Sequence, residues 1–176
     1  MAGLFSKLVG RPKAPPVTPP APSHRASAPV PTQGLTPGLF DTFKADHDRC
    51  DALWAAVEDA DEAEVAQAFA AFDTAVRRHL AMEEEVLFPA FEDSAGMQGC
   101  GPTAVMRAEH QQMRGLLDAM GRAAESGDVD GVLDQGDTLL MLTQQHNIKE
   151  EQVLYPMAEG QLAPSWHELE ARLGRY

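Results

Sequence analysis

The stretch His79-Leu80-Ala81-Met82-Glu83-Glu84-Glu85-Val86-Leu87-Phe88-Pro89 returns 67 residues later as His146-Asn147-Ile148-Lys149-Glu150-Glu151-Gln152-Val153-Leu154-Tyr155-Pro156. The shared pattern is His-x-x-x-Glu-Glu-x-Val-Leu-aromatic-Pro. On an α-helix, residues i and i+4 lie one turn apart on one face. His79 with Glu83, and His146 with Glu150, therefore each present an imidazole and a carboxylate together. Val86 and Val153, seven residues after each histidine, are expected to extend that face. An unpaired carboxylate buried in an apolar stripe costs several kcal/mol, so two such pairs in one chain point to a metal.

Working outward, the flanking sequence keeps a helical period. Phe40, Phe43, His47, Cys50 and Trp54 recur at spacings of three and four, which predicts a first helix over about residues 39–59 with His47 inside its apolar stripe. The second is expected to begin near Asp61, where Asp61 and Glu64 resemble a capping pair. It carries Phe69, Phe72, Val76, His79, Glu83 and Val86 inward before a Gly-rich loop at 94–101. Pro102 suits the first turn of a third helix, whose stripe reads Thr103, Met106, His110, Met113, Leu117 and Met120 up to Gly127. The fourth runs from about 129 to 160 through Leu139, Leu142, His146, Glu150 and Val153, and Ser165 with Glu168 is expected to cap a short C-terminal helix. Asp46-His47 and Glu109-His110 repeat at nearly the same separation as the longer motifs, so the chain reads as two helical hairpins of one plan. The predicted fold is all-α, an up-down-up-down four-helix bundle.

At 176 residues there is room for one domain and an appendage. Residues 10–38 hold most of the prolines in a Pro/Ala/Ser/Thr setting, so 1–38 is expected to be a disordered tail and 39–176 the bundle with its C-terminal helix. Ahead of the linker, Leu4, Phe5, Leu8 and Val9 could face one side of a short helical foot that contacts a protein partner or a membrane surface; a frayed terminus is the alternative. The formal charge is −13, yet Lys7, Arg11, Lys13 and Arg25 give the first 40 residues +4 with no acid, which leaves −17 for the remainder. So acidic a body argues against nucleic-acid binding. No apolar run is long enough to cross a bilayer. Cys50 and Cys100 match no paired metal or redox spacing, and no secretory signal is evident, so a cytoplasmic setting with reduced thiols is expected.

Four histidines and two glutamates are thus predicted to point into one core: His47, His79, Glu83, His110, His146 and Glu150. Imidazoles and carboxylates on facing helices are a ligand set for first-row metals. If both glutamates bridge two metals, each metal receives two histidine nitrogens and two carboxylate oxygens. A bridging oxo or hydroxo group would be a fifth ligand and leave one position open. Glu84, Glu85 and Glu151 are expected in solvent, since i+5 lies about 140° round the helix from its histidine. A local bulge would make Glu151 a rival to Glu150. His24 and His167 fall off the pattern, as surface residues would. Cys50, one turn from His47, reads either as a redox neighbour or as a small core residue.

The order His…His-x-x-x-Glu…His…His-x-x-x-Glu, with Leu-aromatic-Pro following, resembles the hemerythrin-like, or HHE cation-binding, family over about residues 39–160. Ferritin-like bundles differ, for no glutamate here stands three residues before a histidine. The resemblance implies a non-haem centre of two iron ions, oxo- or hydroxo-bridged, held at the six positions above. Oxygen-carrying hemerythrins have one more histidine four residues after the position of His110, where this sequence has Arg114. The resemblance is therefore nearer to the branch associated with nitric oxide, oxidative stress and repair of iron–sulfur proteins. It implies a small ligand, O2, NO or peroxide, that is bound or reduced. The other reading is a non-enzymatic oxygen or iron sensor that signals to a partner through the basic tail. Arg114 itself is expected either to turn outward or to stand over the open position and attract an anion.

Overall fold

The computed structural model describes residues 37–176. The expectations for the tail, its apolar foot and His24 concern residues 1–36 and lie outside the described residues. Helix α1 is Leu39–Glu58, and α2 is Val65–Met82, followed by a π-helical segment Glu83–Leu87 and by α3, Phe88–Ala95. Helix α4 is Pro102–Ser126. Helix α5 is Val129–Lys149, followed by a second π-helical segment Glu150–Leu154 and by α6, Tyr155–Leu162. A 3-10 turn, Ala163–Ser165, leads to α7, Trp166–Leu173. With the π segments counted as part of the rods they join, the chain forms an up-down-up-down four-helix bundle with a short C-terminal helix.

The two π segments have one sequence cause. A proline removes the hydrogen bond to the carbonyl four residues back and crowds that carbonyl, so the turn before it opens. Pro89 and Pro156 close the repeated motif, and each lies just beyond a widened turn. There the Phe88 N–H donates to the Glu83 carbonyl, and the Tyr155 N–H to that of Glu150, both five residues back. The Glu85 carbonyl that Pro89 cannot use accepts from Arg172 Nη2 at 3.2 Å.

Three local expectations are corrected. Helix α2 starts at Val65, because the Asp61 backbone carbonyl takes the Glu64 and Val65 N–H groups in a tight turn and no side-chain cap bond forms at Glu64. Ser165 does not cap α7: its hydroxyl donates to the Leu162 carbonyl at 3.2 Å, since the chain is already turning helically through the 3-10 segment. Val86 is 3% exposed but Val153 is 51% exposed, because α7 brings Leu169 and Leu173 into the apolar cluster of Val86 while Val153 has no such cover.

Other boundaries follow the sequence signals. Gly127, at φ 74°, ends α4 in the left-handed region that glycine tolerates, and Asp128 caps α5 by accepting from the Gly131 N–H at 2.9 Å. Gly136 sits mid-helix for a packing reason, as a Cβ there would lie 1.9 Å from the Trp54 ring.

The apolar stripes merge into two clusters. One contains Leu39, Phe43, Val86, Phe88, Met106 and Tyr155; the other contains Trp54, Phe69, Val76, Met113, Leu117 and Leu139. Along α1, along α4, and along α5 with the π segment and α6 that continue it, a single buried histidine separates residues of one cluster from residues of the other. The polar centre is therefore a belt between two dry layers. No helix among the described residues is long and apolar enough to cross a membrane.

Candidate metal centre

The belt brings together all six residues singled out by the motif. Glu83 and Glu150 are 0% exposed, and His47, His79, His110 and His146 are all buried. The histidines form two pairs, His47 Nε2 to His79 Nε2 at 3.1 Å and His110 Nε2 to His146 Nε2 at 3.2 Å. The two carboxylates lie between the pairs. Glu83 Oε2 is 3.4 Å from His79 Nε2 and 3.3 Å from His110 Nε2. Glu150 Oε2 is 3.3 Å from His47 Nε2, and its Oε1 is 3.1 Å from His146 Nε2. Each glutamate thus serves both corners.

The outer nitrogens meet a second ring of carboxylates. His79 Nδ1 lies 3.2 Å from Asp46, His146 Nδ1 2.9 Å from Glu109, His110 Nδ1 2.8 Å from Glu84 and His47 Nδ1 2.9 Å from Glu151. An ionised carboxylate only accepts, so each Nδ1 donates its N–H outward, and each Nε2 faces the belt, where the neutral ring offers a lone pair to a metal. Cations in turn hold three of these acids: Arg78 on Asp46 at 2.6 Å, Arg114 on Glu84 through two bonds of 2.9 Å, and Lys149 on Glu109. Among the described residues, Glu151 has no such cation.

This arrangement corrects the expectation that Glu84 and Glu151 point to solvent. The π turn shifts the residue after each buried glutamate toward the neighbouring helix, where it meets the far side of that helix's histidine. Glu151 therefore supports His47 and does not displace Glu150 from the belt. Glu85 is exposed as expected. Arg114 neither turns outward nor stands over an open position, for its guanidinium is committed to Glu84, behind the His110 ring. Cys50 packs in the Trp54 cluster, and burial, with Asp46 and Asp51 nearby, pushes its thiol up to about 12. It is a small core side chain rather than a reactive thiol. His167 is on the surface.

The sequence reading missed Tyr155. Its ring is fully buried, and its hydroxyl lies 2.7 Å from Glu83 Oε1, 2.9 Å from Glu150 Oε2 and 3.1 Å from His47 Nε2. Burial, and then the two carboxylates, push the phenol well above its ordinary value. The available signal was the aromatic position of the repeat, which holds Phe88 in one copy and Tyr155 in the other.

The belt's electrostatics suit a cation. Burial opposes ionisation of Glu150, but hydrogen bonds and charge from His146 and His47 hold it well below the usual carboxylate range. Burial likewise opposes a charge on His146, yet Glu150 first, then Glu83 and Glu109, raise it to about 9. Burial also opposes ionisation of Asp46, while His79 and Arg78 hold its carboxyl down to about 2. The fully buried Glu83 Oε2 and Glu150 Oε1 have no hydrogen-bond partner. Each lies 3.1–3.4 Å from an imidazole Nε2, a separation that calls for a proton or a metal between oxygen and nitrogen. Donors 3.1–3.4 Å apart also match a metal about 2.1 Å from each, since ligands at right angles then sit about 3 Å apart. Two groups bring their donor atoms within 4.8 Å of one another, Glu83, His110, His146 and Glu150 in one, and His47, His79 and Glu150 in the other.

A four-helix bundle whose dry interior holds paired histidines around shared carboxylates defines a cation-binding domain of the histidine–carboxylate kind. The profile of the hemerythrin HHE cation binding domain matches residues 38–158, and the chain belongs to that family. No curated protein and no solved structure matches the chain significantly.

Proposed function

We propose that the centre holds two iron ions, one between His47 and His79 and one between His110 and His146, with Glu83 and Glu150 shared. In this reading the protein binds or reduces O2, NO or peroxide in the cytoplasm, in oxidative or nitrosative stress or the repair of iron–sulfur proteins. The observation that carries it is the pair of orphaned oxygens, Glu83 Oε2 and Glu150 Oε1, set among four inward Nε2 atoms. When bound, the iron pair would supply a Lewis acid and a source of electrons for a small ligand.

The chain's own residues prepare that chemistry. Asp46, Glu84, Glu109 and Glu151 orient the rings and keep each Nδ1 protonated. Met106 and Met113, one turn either side of His110, are buried and help to exclude bulk water.

Metal analysis of the isolated full chain tests the reading, with two irons per chain as the expected result. Thermal melting before and after chelation is the companion measurement; an unchanged melting temperature would sink the metal-centred account. Sustained consumption of peroxide or NO by the reduced protein favours an enzyme. Stoichiometric binding that alters proteolytic protection of residues 1–36 favours the sensor.

A further inference from the structure

We propose that the Tyr155 hydroxyl oxygen is a further protein ligand, for the metal held between His47 and His79; the inference rests on the two-metal reading above. The repeat supplies an internal control. Phe88 stands to His110 as Tyr155 stands to His47, with ring centroids 5.6 Å apart in both pairs. The two corners are matched down to that ring, and the hydroxyl is what one has and the other lacks.

Hydrogen bonding alone does not account for the position of that hydroxyl. A phenol has one proton to donate, and three atoms lie within 3.1 Å of its oxygen: Glu83 Oε1, Glu150 Oε2 and His47 Nε2. Both carboxylate oxygens are acceptors, and His47 Nε2 is a third when its ring is neutral with the proton directed outward to Glu151. The single phenol proton satisfies one carboxylate and leaves the other set lone pair against lone pair inside a site with no exposure to water. A cation among these atoms removes the conflict, because every one of them is then a donor to the same centre. The separations of 2.7–3.1 Å fall in the range expected of adjacent ligands on one metal. Phenolate is a hard anionic oxygen donor, and tyrosine serves iron in this way in some haem proteins.

Coordination forms a metal–oxygen bond and breaks the phenol O–H bond, and the proton leaves to solvent; no electron moves. The His47–His79 metal then has two nitrogens, two carboxylate oxygens and the phenolate. The His110–His146 metal has two nitrogens and two carboxylate oxygens. With one bridging oxygen between them, the first would be six-coordinate and the second would keep a position free for a ligand. The inference therefore places the small ligand at the His110–His146 corner.

The test loads the full chain with iron in air and compares wild type with Tyr155→Phe by metal analysis, visible absorption and resonance Raman. The chain has only two tyrosines, and the other, Tyr176, hydrogen-bonds Glu85 at the C-terminus. The expected result is a visible phenolate-to-iron band in wild type, with enhanced tyrosine ring modes, and loss of that band in Tyr155→Phe with two irons retained. Two irons in wild type without enhanced ring modes overturn the assignment of Tyr155 and leave the two-metal reading intact. A band that survives in Tyr155→Phe has the same meaning. Wild type that takes up no iron overturns both.

Discussion

At the His110–His146 corner every outer contact is reinforced. Arg114 grips Glu84, Lys149 grips Glu109, and the Phe88 ring on His110 is itself covered by Arg107, 5.2 Å from its centroid. At the His47–His79 corner only Asp46 has a cation, Arg78, whereas Glu151 supports His47 without one. There the aromatic side chain carries a hydroxyl, and its ring packs against Phe40 and Phe43. Two copies of one plan therefore differ at the positions around the inner donors. A duplicated motif can supply a symmetric donor set while its neighbours make the two corners unequal.

The largest effect that tests this comparison concerns the shared carboxylates. Glu83→Ala or Glu150→Ala removes an acid that serves both corners, and bound metal is expected to fall at both. Glu84→Ala and Glu151→Ala, which touch one histidine each, are expected to weaken binding by roughly 10- to 100-fold at a single corner. Metal content after dialysis against a graded chelator ranks the four variants. If Glu151→Ala strips the metal while Glu150→Ala retains it, the roles of the two residues are reversed.

The next effect separates Asp46 from its counterparts. Its carboxyl sits at about 2 against 3.8 for the ordinary group, so its stabilisation is complete above pH 4 and is lost as pH falls toward 2. The shift corresponds to about 2 kcal/mol. Urea melts of the metal-free protein are expected to show Asp46→Asn less stable than wild type at pH 5, with the gap closing as the pH is lowered. A gap independent of pH would mean that Asp46 contributes through packing alone.

The smallest effect is expected from Arg114→Leu. Its guanidinium is part-exposed and holds Glu84 rather than the inner site, so a stability loss of about 1 kcal/mol or less is expected. Iron content and azide affinity should stay at wild-type levels. A clear fall in azide affinity would show that Arg114 acts on the ligand position after all.

The helices and the inner donors were legible in the sequence because the relevant geometry is local. Four stripes at the helical period, each with one histidine, and a glutamate one turn after two of them, specify which residues share a face. Pro102, Gly127 and the short connections then point to four antiparallel rods. The outer ring was less legible. Asp46 and Glu109 were visible as a repeated acid before a histidine, but their partners, His79 and His146, are on the neighbouring helix. Glu84 and Glu151 were misread because an ideal α-helix turns them away, while the strain of Pro89 and Pro156 opens a π turn.

By itself, the sequence determined the all-α bundle, its two-hairpin plan and the candidate set His47, His79, Glu83, His110, His146 and Glu150, since covalent spacing along a helix decides which side chains face the same way. Only the tertiary structure decided which carboxylate holds which Nδ1, that Val153 is exposed while Val86 is covered, and that Tyr155 reaches into the belt. Those outcomes depend on hairpin register, on the local π geometry and on where α7 packs, all of which arise between helices rather than along one.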